Sequence, residues 1–179
     1  MRPMIKSVPL PGFSLMNQYS QRIDYLDCYQ VEIRTQEDLS VDQIATRFFT
    51  YSPGWVRGLL RFRNLLMKPF GVKGGDLQNQ QAPLSPYKPG DKAVIFTVIS
   101  RNEEEIVTGE PDKHLDFWTS IRWEKPSGMG KPGYVYSSTL VHYNNPWGKL
   151  YFFPVKPFHQ LIVRTLMKKL ARDLSSGKD

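Results

Sequence analysis

Cysteine is nearly absent from this 179-residue chain, with Cys28 standing alone. A single thiol cannot close an internal disulfide and leaves no Cys-based metal motif, which suits a reducing compartment and makes a cytoplasmic location the expectation. Long apolar runs are also missing, and no stretch approaches the roughly 20 residues of a transmembrane helix. Pro3, Pro9 and Pro11 interrupt the N-terminal segment before an apolar run of signal-peptide length develops. Histidine is scarce: His114, His142 and His159 offer no close-spaced ligand pair, which argues against a metal site. No Gly-x-Ser-x-Gly elbow, phosphate-binding glycine loop or dinucleotide fingerprint occurs, so the usual catalytic signatures are missing and no cofactor is expected.

What is present reads as a globular protein: 40% of residues are hydrophobic, 23% charged and 13% aromatic. A chain of this length fits one domain, residues 1–179, burying roughly 70% of the surface its unfolded form exposes. The net charge of +7 would suit nucleic acid or anionic lipid. A modest excess more often serves solubility, so nucleic acid is disfavoured as a partner. Nothing in the sequence sets an oligomeric state.

After the Pro-rich lead segment, Tyr25 to Ile33 alternates and is rich enough in β-branched residues for a first strand. Ser40-Val41-Asp42-Gln43 is a capping box opening a short helix to about Phe49. Ser52-Pro53 opens a second, to about Lys68. There Trp55, Val56, Leu59, Leu60, Leu66 and Met67 share one face, and Arg57, Arg61 and Lys68 form a stripe behind it. That stripe is read as a solvated face, with peripheral contact to an anionic membrane as the alternative. Lys73 to Asp91, with its Gly, Pro and Gln, reads as a long loop. Strands follow over Ala93 to Ser100, Glu104 to Gly109, His114 to Trp123 and Tyr134 to Tyr143. The first of these is apolar on both faces and is expected to lie centrally. Asn145-Pro146 then starts a helical segment interrupted by Pro154 and Pro157, regular from near Pro157 onward. Its apolar face carries Ile162, Val163, Leu166, Met167, Leu170 and Leu174, with His159 in the middle of the arc.

The order is α+β: a long amphipathic helix needs an apolar surface, and the only extended one is a twisted antiparallel sheet. The chain also resembles the START-like, or helix-grip, superfamily, which includes polyketide cyclases, lipid-transfer domains and the birch-pollen-allergen type. The resemblance rests on the order of elements and on five blocks. They are Ile23-Asp24-Tyr25-Leu26-Asp27, Phe48-Phe49 to Pro53-Gly54-Trp55-Val56, Leu60-Arg61-Phe62-Arg63-Asn64 to Phe70-Gly71, Asp112-Lys113-His114-Leu115-Asp116-Phe117, and Pro157-Phe158-His159. These are similar to an uncharacterised family, a domain of unknown function that in some proteins follows a nucleotide-binding reductase. The resemblance implies a curved antiparallel sheet wrapped around the C-terminal helix, with two short helices after the first strand. For function it implies little, because the superfamily hosts binders, carriers and enzymes.

Four groups are candidates for chemistry. His159 either meets a ligand carbonyl or moves a proton near neutral pH, or is a structural histidine held by a backbone group or carboxylate. Arg63 falls inside an apolar helix face and needs an anion, either Asp27 or Asp116 or a ligand carboxylate. His114 and Asp116 share a strand face and could act together, but simple alternation turns both outward, opposite Leu115, Phe117, Thr119, Ile121 and Trp123. Cys28 reads as a small buried hydrophobe. The leading expectation is binding of a small hydrophobic or amphipathic molecule in an internal cavity walled by Trp55, Leu115, Phe117, Ile162 and Leu166. A cyclase- or hydrolase-type enzyme using His159 with Arg63 or Asp116, and an interaction module with a filled core, are the alternatives.

Overall fold

The computed structural model describes residues 3–19, 22–35, 37–50, 54, 86–93, 96–128 and 130–175. The helix expected over Pro53 to Lys68, with its basic stripe, Trp55 and Arg63, lies outside the described residues, as does most of the loop expected over Lys73 to Asp91.

A short strand β1 (Ile5–Ser7) precedes β2 (Tyr25–Ile33), which has the bounds its alternation predicts. The capping box forms reciprocally: Ser40 N donates to Gln43 Oε1 at 2.9 Å and Gln43 N to Ser40 Oγ at 3.3 Å. Two otherwise orphaned amides are satisfied, and α1 (Val41–Thr50) begins there. Then come β3 (Lys92–Ala93), β4 (Phe96–Arg101), β5 (Glu105–Pro111), β6 (Leu115–Glu124) and β7 (Gly133–Tyr143). They make one curved antiparallel sheet in the order β1-β2-β7-β6-β5-β4-β3. Asn102 turns β4 into β5, its Oδ1 accepting the Glu104 and Glu105 amides at 2.9 and 2.7 Å.

The expectation of a central strand over Ala93 to Ser100 is corrected. That stretch divides between β3, at the sheet edge, and β4 beside it. Within β4 the register shifts at a bulge between Val98 and Ser100. There Ser100 pairs with Val107 and Arg101 with Ile106. Ile99 lies over Gly109 on the outer face, and the inserted residue flips the parity beyond it, so Arg101 turns inward to Asp42 of α1.

The last helix, α2 (Pro146–Ser175), is also longer than expected, running unbroken through Pro154 and Pro157. Each proline removes the bond to the carbonyl four residues back, at Leu150 and Phe153. All four residues are exposed, so water can take those carbonyls. Both helices pack on the inner face of the sheet: Ile44 and Phe48 of α1 and Val163, Met167 and Leu170 of α2 meet Tyr29, Val31, Ile33, Ile106 and Ile121. A second inner cluster joins Phe152 of α2 to Tyr25, Leu115 and Val141.

The outer face is covered too, which alternation alone does not reveal. The segment after β1 makes a 3-10 turn, Leu15–Tyr19, that buries Met16 against Val107 and Leu140, with Tyr19 stacked on Trp118 at 5.8 Å. Beneath it Glu105, fully buried, accepts from Ser14 Oγ at 2.7 Å and Leu15 N at 2.8 Å. Ser120 and Arg122, on the face read as solvent-facing, are therefore buried.

At the start of α2, Asn145 Oδ1 accepts from Gly148 N at 3.2 Å. Gly148 itself is pressed against the start of β6, and a Cβ there would land on the His114 carbonyl, with its carbon 2.8 Å away. In an open helix Gly→Ala gains about 1 kcal/mol. Here the obstacle is backbone that cannot swing aside. Gly148→Ala is expected to lose about 2 kcal/mol in chemical denaturation, an overpacking cost that outweighs the helix propensity.

Candidate functional site beneath the C-terminal helix

Alternation along β2 turns Tyr25, Asp27, Tyr29, Val31 and Ile33 to the inner face, so a carboxylate stands among aromatics beneath α2. The register sets Asp27 opposite Thr139 of β7, Thr139 opposite Thr119 of β6, and Thr119 opposite Thr108 of β5. All four are buried. They form a polar row across four strands that separates the two inner apolar clusters.

His159 descends from α2 onto this row. Its Nε2 lies 3.1 Å from Thr139 Oγ1 and 3.5 Å from Asp27 Oδ2. Its ring stands edge-on to Tyr25 and Phe117, with centroids 6.5 and 6.3 Å away. Asp27 Oδ2 also accepts the Tyr25 hydroxyl at 2.6 Å, and that hydroxyl accepts from Gln160 Nε2 at 3.0 Å. Burial, reinforced by the bond to Asp27 and by its charge, pushes the Tyr25 phenol far above its ordinary range, so it stays a donor. An ionised carboxylate only accepts, which favours the His159 tautomer carrying its proton on Nε2.

Two polar atoms in this region lack partners. Asp27 Oδ1 and, one row along β7, Ser137 Oγ are shut off from solvent with no hydrogen-bond partner among the described residues. Each such atom costs about 1–3 kcal/mol, more when charged. Asp27 is 8% exposed, and its Oδ1 is closed off from bulk solvent.

The other candidates separate. His114 faces Asn145, with Nδ1 3.3 Å from Oδ1, while Asp116 accepts from Asn144 Nδ2 at 3.1 Å. Both are half-buried at the sheet end, each with its own amide partner. His142 sits 2.9 Å from Asp24, whose carboxyl is held below its ordinary range first by the Tyr143 amide and further by His142. Leu115 and Phe117 are on the inner face, Leu115 buried beside Phe152 and Phe117 against Phe96 and His159. Ile162 and Leu166 are half-buried, Leu166 at the margin of the large cluster. The arc of α2 that enters the sheet is centred instead on Phe152, His159, Val163 and Met167. Cys28 faces outward under the N-terminal segment, where burial pushes its thiol up and Ser138 Oγ donates to its sulfur at 3.3 Å. Among the described residues, no three His, Cys, Asp or Glu side chains gather as a metal site would need. Sequence reasoning missed Tyr25, Thr139 and Gln160. The available signal was an acid, Asp27, at an inward position between two tyrosines.

A curved antiparallel sheet gripping one long helix, with a polar row under that helix, defines a helix-grip domain. The chain belongs to the family described as protein of unknown function (DUF2867), whose model matches residues 19–166. Among solved structures, norcoclaurine synthase from Thalictrum flavum, in complex with dopamine and hydroxybenzaldehyde, is similar to it. The match has 16% identity, covers 97% of this chain and 99% of that one, and has a TM-score of 0.42, too slight a likeness to bear on function. Comparison with curated proteins gives no match.

Proposed function

We propose that the chain binds a small amphipathic molecule between α2 and the sheet, with its apolar body on Tyr25, Phe117 and Phe152 and a hydrogen-bond donor on Asp27. The observation that carries this reading is the solvent-shielded, unpartnered Asp27 Oδ1 beneath the helix. An anionic ligand would add a second negative charge beside the carboxylate, whereas a hydroxyl or amine would satisfy it. A cyclase- or hydrolase-type reaction in the same place is the second reading. It is favoured by the connected set of Tyr25, Asp27 and His159, in which the imidazole can take or give a proton.

Naphthol and naphthoate, equal in ring area and opposite in this respect, test the proposal. Naphthol is expected to shift the NMR signals of His159 and Thr139, and naphthoate to leave them in place. Equal binding of both, or of neither, would discard the Asp27 assignment. Native mass spectrometry of freshly purified protein is expected to show a retained neutral or cationic ligand.

A further inference from the structure

The first half of α2 is apolar on two sides. Phe152 and Gly148 are buried, but Trp147, Leu150, Phe153, Phe158 and Leu161 are exposed, Phe153 to 81%. At about 100° per residue these five fall in one arc directed away from the sheet, together with Pro154 and Pro157. From Trp147 to Leu161 the stripe runs about 21 Å at 1.5 Å per residue. An exposed, contiguous row of large apolar side chains is uncommon on a soluble surface and marks a contact.

Beyond Leu161 the same arc becomes basic, continuing through Arg164, Lys168 and Arg172, while Lys149 and Lys156 flank the apolar part. All five are exposed. Lys156 and Arg164 reach back over the Tyr25 and Tyr29 rings of the sheet, each 5.0 Å from the centroid, so Lys168 and Arg172 carry the basic end of the outer arc. The helix has one acid, Asp173, which is paired with Lys169.

We propose that this face of α2 docks on an anionic lipid surface, the aromatic half entering the headgroup boundary and the basic half resting on the phosphates. Charge complementarity selects this occupant. Aromatic and leucine side chains beside Lys and Arg are the composition of helices that lie in a bilayer interface, and a chain of net charge +7 is drawn toward anionic lipid. A second copy is the less complete occupant. Antiparallel α2 helices with a two-fold axis near Phe153 would pair the apolar halves but leave both basic halves without a partner, and parallel ones set like charges together. The contact is peripheral, since no helix among the described residues is long and apolar enough to cross a membrane. It also differs from the basic stripe expected over Arg57 to Lys68. Because His159 and Phe152 project from the opposite side of α2, docking would leave the Asp27 row one helix diameter from the lipid.

Sedimentation of the full chain with vesicles of phosphatidylcholine, with and without phosphatidylserine, tests this. Binding is expected only to the anionic vesicles and to weaken with added salt. Phe153→Ser/Leu161→Ser is expected to weaken it at least tenfold with Tm unchanged, and Lys168→Glu/Arg172→Glu to remove its salt-sensitive part. No wild-type binding at low salt, or binding by both variants as strong as the wild type's, would overturn the proposal. So would a wild-type dimer that the apolar variant dissociates, which would make the face a self-interface. Should the double variant misfold, Phe153→Gln alone, at the most exposed position, carries the same expectation of weaker binding.

Discussion

Asp42→Ala is expected to cost about 3–5 kcal/mol of folding stability, the range for breaking a buried ion pair by removing one partner. Asp42 is buried in the first turn of α1 and receives both guanidinium nitrogens of Arg101, at 2.8 and 3.0 Å. The same carboxylate accepts the Tyr87 amide at 2.8 Å, while Arg101 donates to the Tyr87 carbonyl at 2.7 Å. One acid thus ties α1 to β4 and to the segment before β3. Its removal strands an inward-facing cation and a buried amide together. By contrast, the exposed pairs Arg34–Glu32 and Lys125–Asp38 should each be worth less than about 1 kcal/mol. Urea titration of Asp42→Ala, Asp38→Ala and the double replacement Asp42→Leu/Arg101→Met separates the effects. The double variant should recover much of the loss because it buries no unpaired charge. A loss under about 1 kcal/mol for Asp42→Ala would mean that Arg101 swings to solvent and the bulge serves no such purpose.

That bulge also shows where the sequence stops being readable. Local signals were legible: the alternation of β2, the reciprocal bonds of Ser40 and Gln43, and Asn145-Pro146 at the start of α2. Each depends on contacts within a few residues. The parity of Arg101 depends on one extra residue in a strand, and nothing in Phe96 to Arg101 distinguishes a bulge from regular alternation. The outer-face burial of Ser120 and Arg122 depends on a segment far away in the chain. Pro154 and Pro157 stay within a helix because their side faces water, a fact of packing rather than of composition. The site is a mixed case. His159 was legible on its arc, and alternation turned Asp27 inward. Their meeting depends on the register of β2 with β7, which tertiary pairing decides, so Asp27 was read as a partner for Arg63 and not for His159.

Tyr25→Phe/Asp27→Leu is expected to leave the fold as stable as the wild type, or more so, while naphthol affinity falls about 10- to 100-fold. The two are changed together because Leu at position 27 alone would deprive the Tyr25 hydroxyl of its acceptor. A buried charge with an unpartnered oxygen is a poor stabiliser, and apolar replacement of such groups is often neutral or favourable. The affinity change follows from losing one hydrogen bond to a charged group, worth about 1.5–3 kcal/mol, at 1.4 kcal/mol per tenfold. His159 keeps Thr139 in this variant, so α2 retains its polar contact with β7. Thermal unfolding and naphthol titration on the same protein give the two readings. A polar row that exists to hold α2 in place would show the reverse, stability falling by several kcal/mol with affinity unchanged. Stability retained with affinity lost is the sign of a site kept for a ligand at some cost to the fold.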